Sequence, residues 1–214
     1  MKVDQNTGTL YKAMLGEAEP GDFRVPIIDC KTNAMVRIRF VHHMIHEAMS
    51  FEAHHTLTGK NDGTYLTIYM KTPDSDKEIH LFPQWQSSVA AYFRIREGAV
   101  VTANTGTTGN VYNRNRRSTK LSTVRDNATV PAVNKVMTDV TIADRTADVA
   151  GSKGGFVIYQ EYDGTGKKIA GGNKDDDERV LKQNTNYVFE VESDASSGIL
   201  ALQLWWYELI PREY

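Results

Sequence analysis

From about residue 35 onward, apolar and polar positions alternate with a period of two between clusters of Gly, Asn, Asp and Ser, the pattern of half-buried strands rather than helices. Residues 64–71 show it most clearly. Leu66, Ile68 and Met70 fall on one face and Tyr65, Thr67 and Tyr69 on the other, directly after the turn cluster GKNDG at 59–63. Residues 78–85 and 89–97 predict two further strands. In the second, Val89, Phe93 and Ile95 face a core while Tyr92, Arg94 and Arg96 face outward to solvent or a partner. Segments 136–142, 155–162, 187–192 and 199–207 bring the total to roughly eight to ten short strands, which predicts an all-β chain folded as a jelly-roll-like two-sheet β-sandwich. Residues 41–49, the one stretch with any helical spacing, fit a short helix, a strand or a turn equally.

Two local patterns sharpen the sandwich expectation. In LKQNTNY, Leu181, Thr185 and Tyr187 have the spacing of a tyrosine corner, in which a buried phenol hydrogen-bonds the backbone at a crossover between sheets. In the last strand, Leu200, Leu202, Leu204 and Trp206 share one face while Ile199, Ala201, Trp205 and Tyr207 crowd the other. A sandwich sheet normally keeps a wet outer face, so the second apolar face predicts an oligomer interface, the alternative being a cover of the chain's own loops. Residues 1–33 are polar, are punctuated by Gly16, Pro20, Gly21 and Pro26, and lack periodic apolar positions. The expected organisation is an extended N-terminal arm over 1–33 and a single β-sandwich domain over 34–214.

Composition narrows the function classes. The 214 residues carry 25 Lys and Arg against 27 Asp and Glu, a net charge of −2, which argues against nucleic acid as the main partner. A single cysteine, Cys30, cannot close an internal disulfide. Neither an apolar leader nor an apolar run of about 18 residues is present, so no membrane role is expected. Five of the six histidines lie between His42 and His55, yet the order His43, Met44, Ile45, His46, Glu47 does not match the helical zinc-protease spacing. On a strand, His42 and His46 would stand roughly 13 Å apart. Packed or hydrogen-bonded structural histidines are therefore expected, with no metal and no cofactor. The acidic run Asp175–Glu178 lacks the alternate spacing of a calcium loop. The glycines near Lys60 and Lys167 lack phosphate-loop spacing, and Ser152 has Ala150 where a nucleophile elbow needs glycine. The expectation is that the chain is not an enzyme. The basic run Arg114, Arg116, Arg117 and Lys120 suits an acidic protein neighbour, because arginine forks bind carboxylates bidentately.

The runs VHHMIHEAMSF (41–51), EIHLF (78–82), YNRNRRS (112–118), LKQNTNYVFEV (181–191) and LQLWWYE (202–208), in this order, resemble a family of tailed-phage and prophage virion structural proteins. The resemblance spans about residues 29–208. Its members look like capsid decoration or cement proteins. One departure is Ala48, which stands where the family often has Gly and so speaks against a tight turn there.

The resemblance implies a protein made in the host cytoplasm and placed on the phage head. There it would bind the outer surface of the assembled head and stabilise it by bridging major capsid protein subunits. A homotrimer is the preferred self-assembly, since three-fold positions recur on icosahedral shells. Tyr92, Trp205 and Tyr207 are the expected subunit-interface residues, and Arg114, Arg116 and Arg117 the expected capsid contacts. The alternative is a head-fibre, tail-fibre or baseplate module that binds host-surface glycans through exposed aromatic rings. A metal enzyme built on the His42–His55 cluster is a further, weaker alternative.

Overall fold

A computed structural model describes residues 27–28, 35–36, 40–102, 105–128, 130–145, 153–164 and 178–210. The chain divides into two compact units, Met1–Arg39 and Phe40–Tyr214. In the first, strand β1 (Ile27–Ile28) pairs antiparallel with β2 (Met35–Val36). The arm expected over 1–33 otherwise lies outside the described residues, as do Cys30, Ser152, Lys167 and the acidic run up to Asp177.

The second unit is a β-sandwich with one short helix, α1 (Phe40–His46), so the helical alternative for 41–49 is the one realised. Its strands are β3 (Ser50–Lys60), β4 (Tyr65–Lys71), β5 (Glu78–Ser87), β6 (Ala91–Glu97), β7 (Thr107–Asn110), β8 (Tyr112–Asn113) and β9 (Lys135–Thr138), followed by β10 (Phe156–Asp163), β11 (Arg179–Leu181), β12 (Asn186–Ser193) and β13 (Gly198–Leu209). One sheet has the order β10-β6-β12-β4-β9-β7 and the other β11-β5-β13-β3-β8. All pairings are antiparallel. They are also nested: β3 lies beside β13, β4 beside β12, β5 beside β11 and β6 beside β10.

The alternation seen in the sequence explains the core. Leu66, Ile68, Met70, Phe93, Ile95, Phe189 and Val191 point inward from the six-stranded sheet, and meet Phe51, Ile79, Leu81, Leu200, Leu202, Leu204 and Trp206 from the other. The expected tyrosine corner is present. The Lys182 N–H donates to the Tyr187 hydroxyl at 2.9 Å, and that hydroxyl donates to Glu97 Oε2 at 2.8 Å, where the chain crosses from β11 to β12. Burial and the Glu97 carboxylate hold the Tyr187 phenol well above its ordinary pKa.

Three local expectations need correction. Ala48 does make a tight turn, at φ 57°. The Met49 N–H donates to Met44 O and the Ala48 N–H to Ile45 O, so α1 ends in a Schellman cap despite the missing glycine. The strand expected over 136–142 stops at Thr138, because Asp139 turns the chain at φ 55°. Arg96 faces outward as expected but is only 4% exposed. Segments 99–102 and 139–145 fold over that face, and Ala99, Val101, Val140 and Ile142 pack on Tyr69, Met137 and Val188. Under this cover, Arg96 Nε donates to Glu190 Oε1 at 2.8 Å, and Arg145 Nε reaches Glu190 Oε2 at 3.4 Å. Gly155 lets the chain pass: at φ 76°, an added Cβ would lie 2.7 Å from both Glu97 O and Ala99 N.

Candidate interaction site

The outer face of the five-stranded sheet holds two of the residues marked out by the sequence, Trp205 and Tyr207. Trp205 and Phe82 sit side by side on β13 and β5 with rings parallel and centroids 3.9 Å apart. Tyr207 stacks on His80 at 4.6 Å, and its hydroxyl and His80 Nδ1 both engage the Glu178 carboxylate. Burial and that carboxylate push the Tyr207 phenol up. Met44 of α1, Met49 and Leu209 close over the group. With Trp205 7% and Tyr207 3% exposed, neither ring presents a surface to a second copy. The cover comes from the chain itself, because α1 and the turn at Ala48 fold back over this end of the sheet. That overturns the placement of these two rings at a subunit contact. Tyr92, on the outer face of the six-stranded sheet, is half-buried. Its ring lies 4.5 Å from Tyr162, which is 49% exposed, and Arg94 lies over it at 4.8 Å.

The basic run forms a rigid tip beside α1. Asn113 Nδ2 donates to Ala48 O and Lys120 O, and Asn113 Oδ1 accepts from the Asn115 N–H. Asn115 repeats the device, accepting from the Arg117 N–H and donating to His46 O. These Asx turns pin the loop backbone at both ends, so the asparagines of YNRNRRS build the scaffold and the arginines are displayed on it. The three arginines are not equivalent. Arg114 lies over the Trp205 ring at 4.9 Å with its Nη1 buried and without a hydrogen-bond partner, so it belongs to the cover rather than to a free surface. Arg116 and Arg117 are exposed, with Arg116 poised over Tyr112 at 5.3 Å. Lys120 caps the helix end by donating to Glu47 O at 2.9 Å.

The histidines split into two groups. His54 stacks on Tyr112 from an exposed position, His55 bonds Asp139 Oδ2 at 2.9 Å, and His80 bonds Glu178. His42, His43 and His46 are exposed on α1. The Asn115 bond to the His46 carbonyl ties the arginine loop to the end of α1, a juxtaposition of which sequence spacing held no signal. The tip therefore offers two displayed guanidinium forks, which suit carboxylates. Among the described residues, no three His, Cys, Asp or Glu side chains converge as metal ligands. No helix among them is long and apolar enough to cross a membrane. No family model, curated protein or solved structure matches the chain.

Proposed function

We propose that the protein is a phage capsid decoration, or cement, protein that binds the outer surface of the assembled head and bridges major capsid protein subunits. The observation that carries this reading is the tip built by Asn113 and Asn115, which holds Arg116 and Arg117 outward on a backbone fixed at both ends. A cement protein needs a contact that is ordered before it meets the shell, because ordering it on binding would consume affinity. Binding to the assembled lattice and not to free subunits stabilises the head by mass action. The nested strand pairing is read here as a jelly roll, a scaffold stiff enough to clamp neighbouring subunits. A homotrimer, with Tyr92 at the subunit contact, remains the preferred assembly.

The test is co-sedimentation with purified heads lacking the protein. Saturable binding is expected, weakened at least about tenfold by Arg116→Glu combined with Arg117→Glu. Electron microscopy of the intact particle then locates the density, and density at the tail, or none on the particle, would sink the reading. A second reading has its own observation: the Tyr92 and Tyr162 rings lie beside Arg94, Gln160 and Asp194, an arrangement on which a sugar ring could stack. Polysaccharide binding abolished by Tyr162→Ala would move the function to a glycan-binding fibre or baseplate module.

A further inference from the structure

Lys71 closes β4 and sits directly opposite Arg125 in an isolated antiparallel bridge. The Lys71 N–H donates to Arg125 O at 2.9 Å and the Arg125 N–H to Lys71 O at 3.0 Å. Residues that exchange both bonds lie about 5.5 Å apart at Cα and point their side chains to the same face. Like charges directly opposite one another destabilise a strand pair. Among the described residues neither Lys71 nor Arg125 enters an ion pair. Val133 bridges to the other side of Arg125, so Lys71, Arg125 and Val133 form a row.

That row lines a cleft of about 530 Å³ between the β4–β5 connection and the loop from Leu121 to Val133. Leu121 is 62% exposed and Val133 48%, and Pro131 stands beside them. Lys77 lines the cleft as well, but its Nζ lies 3.7 Å from Glu208 Oε2, so its charge is shared with a buried carboxylate. Asp74 and Asp76 are exposed lining residues, and neither pairs with the cations. The cleft thus combines two cations outside any ion pair with an apolar wall, and two carboxylates stand at its exposed side. The cleft is wider than a single phosphate needs.

We propose that this cleft binds an acidic peptide segment of a protein partner, with carboxylates on Lys71 and Arg125 and an apolar side chain against Leu121 and Val133. The inference goes beyond the head-binding reading and does not rest on it, since peptide binding is read on the isolated protein without any particle. The experiment is an amide-resolved NMR titration of the full chain with a capped peptide of alternating Glu and Leu, and separately with sodium phosphate. Expected are saturable shifts at Lys71, Arg125 and Val133 with the peptide, at a dissociation constant on the order of 1 mM or tighter. Lys71→Gln combined with Arg125→Gln should weaken this at least about tenfold. The same double variant should melt at an equal or higher temperature, because it removes an uncompensated repulsion. No saturable shift, shifts mapping elsewhere, or phosphate binding as tightly as the peptide would overturn the proposal. So would a lowered melting temperature, which would make the pair part of the fold's own stability.

Discussion

Ala48 occupies a left-handed conformation that costs an L-residue about 1–2 kcal/mol relative to glycine. Its methyl group is buried, which returns about 0.8 kcal/mol, and glycine would lose about 0.5–1 kcal/mol more backbone entropy on folding. These terms nearly cancel. Ala48→Gly should therefore shift stability in urea by less than about 1 kcal/mol, whereas Ala48→Val should cost at least about 2 kcal/mol, since a β-branched side chain is strained at this φ. A valine variant as stable as the parent would mean that the turn is not required. The same residue shows how far motifs carry: alanine in place of glycine argues against a tight turn, yet the cap forms because Met49 and Ala48 find carbonyl partners on α1. Arg96 and Glu190 teach a related lesson. Each alternates correctly to the outer face, but a charged residue in an outward position looks solvated until the segments that cover it are known.

Among the elements, the link between the end of β13 and the loop at Ser122 and Thr123 depends on one carboxylate. Glu208 is 1% exposed and accepts from Ser122 Oγ at 2.6 Å, the Thr123 N–H at 2.9 Å and Thr123 Oγ1 at 2.8 Å. Glu208→Ala leaves those donors and Lys77 without their acceptor, and should cost about 3 kcal/mol in urea-induced unfolding. Glu208→Gln keeps much of the acceptor capacity and should cost clearly less. Equal losses would show that charge, not hydrogen bonding, holds the loop. Long strands with strict alternation, such as β4 and β13, were legible in the sequence, as was the tyrosine corner. β3 was not predicted: Phe51, Ala53 and Leu57 are interleaved with two histidines and two threonines, so its pattern is weak, and pairing with β13 defines the strand. β7, β8 and β11 span only two to four residues, too few to show a period.

For the whole molecule, the buried phenols set an alkaline limit. Burial raises Tyr69 from 10.0 to about 12, and Tyr187 and Tyr207 move in the same direction. A phenol whose pKa is raised in the folded state binds its proton more tightly there than in the unfolded chain. Its contribution is complete below pH 10 and is lost as pH climbs from 10 toward 12. Tryptophan emission followed through that window should report falling stability, and Tyr69→Phe should flatten part of the loss. Stability unchanged up to pH 12 would contradict the burial of these rings.

Period-two alternation is enough to predict a two-sheet β-sandwich, because it encodes which residues face a core. The sequence also singled out the arginine loop through charge. Only the tertiary structure decided which outer faces the chain covers for itself. That choice depends on α1 and two long connections folding back, and it separates buried Trp205 and Tyr207, with half-buried Arg114 over them, from displayed Arg116 and Arg117. The opposition of Lys71 and Arg125 was equally hidden, since 54 positions separate two residues that the fold brings into one bridge.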